Sequence, residues 1–182
     1  PSNLPLTGEE HLSPLVKGGW GINNTMAKII DGKALAAEIR QNLTVEIKTK
    51  DLHPELAVIL VGDDPASKLY VHLKKKACEQ IGIEFHEYLM PDNITLEQVL
   101  ETIDFLNKDE FTDAILIQLP LPKHLDADII IKAIDPKKDV DGFHPENIKK
   151  LLAGKTDFVP GLALGILKLI ESTEENLNNK SA

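Results

Sequence analysis

The sequence is poor in the groups that mark several large protein classes. One cysteine, Cys78, stands among 182 residues. It cannot form an internal disulfide, and a thiolate metal cluster is excluded. That scarcity suits a reducing compartment, so a cytoplasmic location is expected. Aromatics make up 4% of the chain, which leaves an aliphatic core. No apolar run approaches the roughly 20 residues that a membrane helix needs, so no membrane association is expected. Lys and Arg number 20 against 29 Asp and Glu, giving a net charge of -9. Beyond Lys74-Lys75-Lys76 there is no basic stripe, which argues against nucleic acid as a partner. The six histidines (His11, His53, His72, His86, His124 and His144) show no metal-ligand spacing, and no metal is expected.

What is present is ordinary for a globular domain: 42% hydrophobic and 27% charged residues. Residues 1–25 differ from the rest, with three prolines, four glycines and no sustained hydrophobic period. They are expected to be an upstream or appended segment without fixed structure. The LPLTG at Leu4–Gly8 resembles a cell-wall sorting signal, but such signals sit at a C-terminus before an apolar tail. From Met26 onward two hydrophobic periods alternate. Leu35, Ile39, Leu43 and Ile47 recur every four residues and predict a helix over 34–50. LAVILV at 56–61 reads as a buried parallel strand. Asp64 then offers an N-cap, Pro65 a first helical position and Gly82 a stop, predicting a helix over 66–81. Further strands are expected at 83–89 and 114–119, with helices at 95–107, 126–134, 147–152 and 165–171. This alternation implies an α/β fold, a parallel helix-flanked sheet built from βαβ units.

Three stretches carry candidate chemistry. In the helix over 66–81, Ser67, Tyr70 and Lys74 are spaced i, i+3, i+7 and form one stripe. Leu69, Leu73 and Ala77 form a neighbouring apolar stripe, expected to face the sheet. Successive lysines are turned by about 100°, so Lys74, Lys75 and Lys76 cannot share one environment. A lysine triplet on an amphipathic helix is commonly a solvated face. This helix, however, follows an apolar strand through the tight turn VGDDP, which places its first half at the carboxyl end of the sheet, where open α/β proteins bind ligands. The second stretch is ILIQLPLP. Gln118 ends an apolar strand stopped by Pro120 and Pro122, and a buried amide there needs a partner: a neighbouring lysine or the loop backbone. The third is KKDVDGFHP, where Asp139 and Asp141 flank a valine. It is either an Asx-rich turn or a carboxylate presented to a ligand. A calcium loop is excluded, since Phe143, His144 and Lys150 would fall on positions needing an oxygen ligand, a glycine and a glutamate.

Taken in order, VGDDPASKLYVHLKKKACEQIGI, ILIQLPLP and PKKDVDGFHPENI, with IIDGKALAAEIR before them, resemble the bifunctional methylenetetrahydrofolate dehydrogenase/cyclohydrolase family from about Met26 onward. The resemblance implies an N-terminal catalytic α/β domain followed by a Rossmann domain. It also implies oxidation of methylene-tetrahydrofolate to the methenyl cation with NADP (NAD in some members), then hydrolysis to formyl-tetrahydrofolate. It implies Lys74 as catalytic acid/base and Gln118 as its tuning partner. Tyr70 would pack on the folate ring, Asp141 would bind the pterin, and Ser67 would sit beside the lysine. Pro160 would line the folate site in a loop where Gly161, Leu162 and Ala163 replace the family's Cys, Thr and Pro. The chemistry is consistent: a lysine near a cationic substrate can give up its proton at working pH, whereas arginine stays charged.

The same resemblance predicts a folate-binding catalytic domain at 26–160, with 161–182 as a linker helix and the start of an absent NAD(P)-binding domain. No G-x-G-x-x-G loop occurs in the sequence. The chain is therefore expected to be truncated before its Rossmann domain, to lack dehydrogenase activity by itself, and to be monomeric, since the family dimerises mainly through the absent part. Two other readings stay open: a folate-binding domain without turnover, and an unrelated α/β domain with coincidental motifs.

Overall fold

The computed structural model describes residues 29–156 and 158–175. Its elements in order are α1 (Gly32–Thr49), β1 (Glu55–Val61), α2 (Pro65–Ile81), β2 (Glu84–Met90), α3 (Leu96–Lys108), β3 (Ala114–Ile117), α4 (Ala127–Ala133), α5 (Pro145–Leu152) and α6 (Gly161–Glu171). The three strands form one parallel sheet in the order β2-β1-β3. The expected segment 1–25 lies outside the described residues.

The central strand explains its own composition. Ala57, Ile59 and Val61 face one side and pack with Val99, Ile103 and Leu106 of α3, Ile115 and Ile117 of β3, and Ile130 of α4. Val58 and Leu60 face the other side and pack with Val71 of α2 and Leu116. A strand covered on both faces reads as a continuous apolar run.

The helix boundaries follow their caps. Asp64 accepts the Ser67 N–H at 2.7 Å, Pro65 opens α2, and Gly82 closes it in the left-handed conformation at φ 91°. Thr95 and Gln98 form a reciprocal capping box at the start of α3. α5 and α6 begin earlier than expected, at Pro145 and Gly161, because the preceding His144 and Pro160 already take cap conformations. β3 is two residues shorter than expected. The Gln118 N–H still donates to Ile59 O at 2.9 Å, but the chain then turns through a cis Leu119–Pro120 bond, and proline has no N–H to continue the ladder.

One expectation is overturned. Leu69 and Leu73 do not face the sheet; they are 56% and 51% exposed. The inward face of α2 is instead Ser67, Val71, Cys78 and Ile81, all buried. Lys74 falls between Val71 and Cys78 in that same i, i+4, i+7 series. Val58, Leu60 and Leu116 fill the space over the sheet, and the smaller Ser67, Val71 and Cys78 fit beneath the helix where leucines would crowd.

Candidate active site

The carboxyl ends of β1 and β3 lie side by side, and three segments converge there. Lys74 leans from the inward face of α2 and donates from Nζ to Gln118 Oε1 at 3.0 Å. The Gln118 amide nitrogen donates to Leu119 O at 2.7 Å. Both partners considered for this buried amide are therefore used: the lysine by its oxygen, the loop backbone by its nitrogen. Gln118 is 8% exposed, and an amide so placed is held in one orientation by two opposed bonds.

The lysine run divides as its geometry requires. Lys75 turns away and pairs with Glu87 of β2 at 3.2 Å. Lys76 is exposed. Ser67 is buried one turn before Val71, and its Oγ has no hydrogen-bond partner among the described residues. Tyr70, although on the same spacing as Ser67 and Lys74, stands at the outer edge of the helix and is 59% exposed. Cys78 lies one turn beyond Lys74; burial chiefly, and Glu79 next, push its thiol up, so it is a packing residue rather than a nucleophile.

The third segment is positioned by the first aspartate of its pair. Asp139 is buried, and its carboxylate accepts the N–H groups of Gly142 at 3.1 Å and His144 at 2.8 Å, with Phe143 at 3.4 Å and the Asn147 amide at 3.0 Å. The Ile115 N–H donates to Lys138 O at 2.7 Å, which fastens the loop to the free edge of β3. Gly142 sits at φ 75°, and a side chain there would meet Phe158 at 2.8 Å and Pro160 at 3.2 Å. Pro160 is thus drawn against the same loop. The result is that Asp141, next to Gly142, is half-buried within electrostatic reach of Lys74. Burial raises its carboxyl above the usual range, Lys74 opposes that rise, and Asp139 adds to it. The signal that could have found Asp139 is an aspartate opening a glycine-containing turn, whose carboxylate gathers the N–H groups three to five residues on and is closed by Asn147.

The larger clefts among the described residues lie along α5 and between α1 and α6, not beside Lys74. Convergent polar groups, rather than cavity size, mark the site. Around them Tyr70, Leu119 and Phe143 expose apolar surface.

The model of the tetrahydrofolate dehydrogenase/cyclohydrolase catalytic domain matches residues 30–141. The chain belongs to this family. Among curated members, the bifunctional protein FolD of Acetivibrio thermocellus is 48% identical over 157 residues, covering 85% of this chain and 55% of the relative. The solved bifunctional FolD methylenetetrahydrofolate dehydrogenase/cyclohydrolase of Campylobacter jejuni superposes with a TM-score of 0.80 at 44% identity, over 84% of this chain and 56% of that one. The Trypanosoma brucei methylenetetrahydrofolate dehydrogenase-cyclohydrolase, solved with NADP cofactor and an inhibitor, gives 0.79 at 31% identity, over 85% and 54%. The chain spans about half the length of the curated family members it matches.

Proposed function

We propose that this chain supplies the folate-binding catalytic half of a methylenetetrahydrofolate dehydrogenase/cyclohydrolase in one-carbon metabolism. The observation that carries the reading is the bond from Lys74 Nζ to Gln118 Oε1, which joins groups 44 residues apart at the ligand-binding end of the sheet. In hydrolysis, the oxygen of water bonds to the cationic methenyl carbon. Lys74 is the base that takes the proton released by that water. The hydroxyl then loses its proton to solvent as the carbonyl forms, the ring carbon–nitrogen bond breaks, and the freed nitrogen takes the proton held by Lys74, giving formyl-tetrahydrofolate. Gln118 keeps Nζ over the reacting carbon. The exposed ring of Tyr70 offers a flat surface for the pterin. The Asp141 carboxylate can accept two adjacent N–H groups from the pterin edge. Ser67 Oγ and Pro160 complete the pocket, and the FolD-type substrate is a folate, with no metal used in this reaction.

NADP would accept the hydride in the whole enzyme. The strand-to-helix turns of this chain do not fit its pyrophosphate. Asp64, Thr95 and Asp126 already occupy the helix starts with their own oxygens, and two of the three are anionic. No hydride step is therefore assigned to these residues. The reading includes a catalytic domain at 26–160 and a linker at 161–182. It also includes a cytoplasmic, monomeric chain that contacts neither nucleic acid nor membrane and whose formyl product serves purine biosynthesis. No described helix is long and apolar enough to cross a membrane.

The test is methenyl-tetrahydrofolate hydrolysis by the chain, alone and joined to the remaining length of the Campylobacter relative. Turnover abolished by Lys74→Met with folate binding intact supports the proposal. Folate binding without any turnover in the joined protein identifies a binding module instead.

A further inference from the structure

At the opposite end of the sheet, Glu55 opens β1 and Glu84 opens β2, and the two are register partners on adjacent parallel strands. Like charges placed opposite each other on neighbouring strands repel. His86, two residues along β2, projects from the same face as Glu84. Its Nε2 lies 3.4 Å from Glu55 Oε2 and 3.4 Å from Glu84 Oε1. The three donor atoms all fall within 4.8 Å of one another. No lysine or arginine among the described residues pairs with either glutamate.

We infer that Glu55, Glu84 and His86 form a binding site for one divalent transition-metal ion of the zinc class. Both distances suit ligands gathered around an ion better than a closed hydrogen bond. A charge-assisted N–H···O bond closes to about 2.7–2.9 Å, and both His86 contacts are longer. Ligands held about 2.0–2.2 Å from a tetrahedral zinc ion are about 3.3–3.6 Å apart along each edge of the tetrahedron. Both contacts to His86 have that length. One imidazole and two carboxylates form a mixed N/O set that suits zinc, while magnesium prefers an octahedral shell of oxygens. The backbone beneath the ligands is fixed. Glu55 N–H donates to the Asp113 carboxylate at 2.9 Å, Asp113 N–H returns to Glu55 O at 3.1 Å, and Glu84 N–H donates to Pro54 O at 2.9 Å. Side-chain exposures of 20% for Glu55, 41% for His86 and 65% for Glu84 leave the fourth position open to water. An ion here neutralises the opposed carboxylates and ties the outer strand β2 to β1. It sits at the amino ends of the strands, away from Lys74, so its role is structural and does not depend on the folate reaction.

The experiment is calorimetric titration of the full 182-residue chain with zinc chloride, and separately with magnesium chloride, paired with melting curves. One saturable zinc equivalent is expected, with no magnesium response and a raised melting temperature on zinc addition. Losing a second-shell partner of a metal site already costs 10–100-fold, so His86→Ala should weaken zinc binding by about 100-fold or more. Glu84→Gln should weaken it about tenfold, and His53→Ala should leave it unchanged. His86 and Glu84 are partly exposed, so both variants should fold without zinc, and each variant's own metal-free melting curve is the baseline for its zinc shift. If His86→Ala fails to fold, the Glu84→Gln titration decides alone. An isotherm unchanged in Glu84→Gln, or no saturable equivalent in the parent chain, overturns the assignment.

Discussion

At the carboxyl end of the sheet, Lys74 and Gln118 are 44 residues apart in sequence and 3.0 Å apart in space. At the amino end, Glu84 and His86 are two residues apart and meet Glu55 across one strand pairing. The first group is drawn together by a helix, a strand end and a loop, and further bonds fix Gln118 and the Asp139 loop. The second rests on the strands themselves and is open to solvent. The contrast shows two ways for one small sheet to gather polar groups. Long-range convergence allows burial and directional bonds, which proton transfer needs. Local alternation places side chains at fixed spacing but leaves them exposed, which suffices for an ion.

If the carboxyl end is the reactive one, its substitutions should change chemistry and those on its periphery should not. The largest effect is expected for Lys74→Met, a fall in cyclohydrolase turnover of about 10²–10⁴-fold. Lys75→Met, which removes only the exposed pair with Glu87, should leave turnover within twofold or so. A steady-state comparison of the two variants in the joined protein checks this, and equal losses would reduce the lysine run to bulk charge. Asp139→Ala should destabilise the fold by about 3 kcal/mol, since several buried N–H groups lose one acceptor. Denaturant titration measures that, and a neutral result would mean the loop is held by its neighbours alone.

Asp141→Ala should weaken folate binding by about 1.5–3 kcal/mol, the range for hydrogen bonds to a charged group. An unchanged dissociation constant would return Asp141 to a turn residue. The smallest effect concerns stability. Because the folded chain raises the Asp141 carboxyl, mainly by burial, the folded state holds its proton more readily than the unfolded state. Stability from this group therefore falls as pH rises through the interval between the ordinary value of 3.8 and the raised one. Asp141→Asn should raise the melting temperature at neutral pH, and the gain should shrink as pH falls toward 3.8. A gain independent of pH would assign the effect to something other than ionisation.

Much of this arrangement was legible in the residues. The LAVILV run fits a strand buried on both faces, and Asp64, Pro65 and Gly82 bound α2 where their chemistry predicts. The meeting of Lys74 with Gln118 follows from α2 leaving the carboxyl end of β1, beside the end of β3 where Gln118 lies. The inward face of α2 was not legible. Two stripes compete, and the more apolar one, through Leu69 and Leu73, lost to the one that fits the narrow space over Leu60 and Leu116. Asp139 looked like half of a pair because the sequence does not show where its loop folds back. The Glu55–Glu84–His86 cluster was invisible to a search for histidine spacing, since one of its members comes from another strand and register is a property of the sheet.

The most direct test of the catalytic assignment is a double-mutant cycle between Lys74→Met and Gln118→Ala, read as methenyl-tetrahydrofolate turnover in the joined protein. If Gln118 acts by holding Lys74, its removal costs turnover in the parent and almost nothing once Lys74 is gone, so the two losses are far from additive. Fully additive losses would contradict the account, showing that the 3.0 Å bond between them is a packing contact and not the working core of the site.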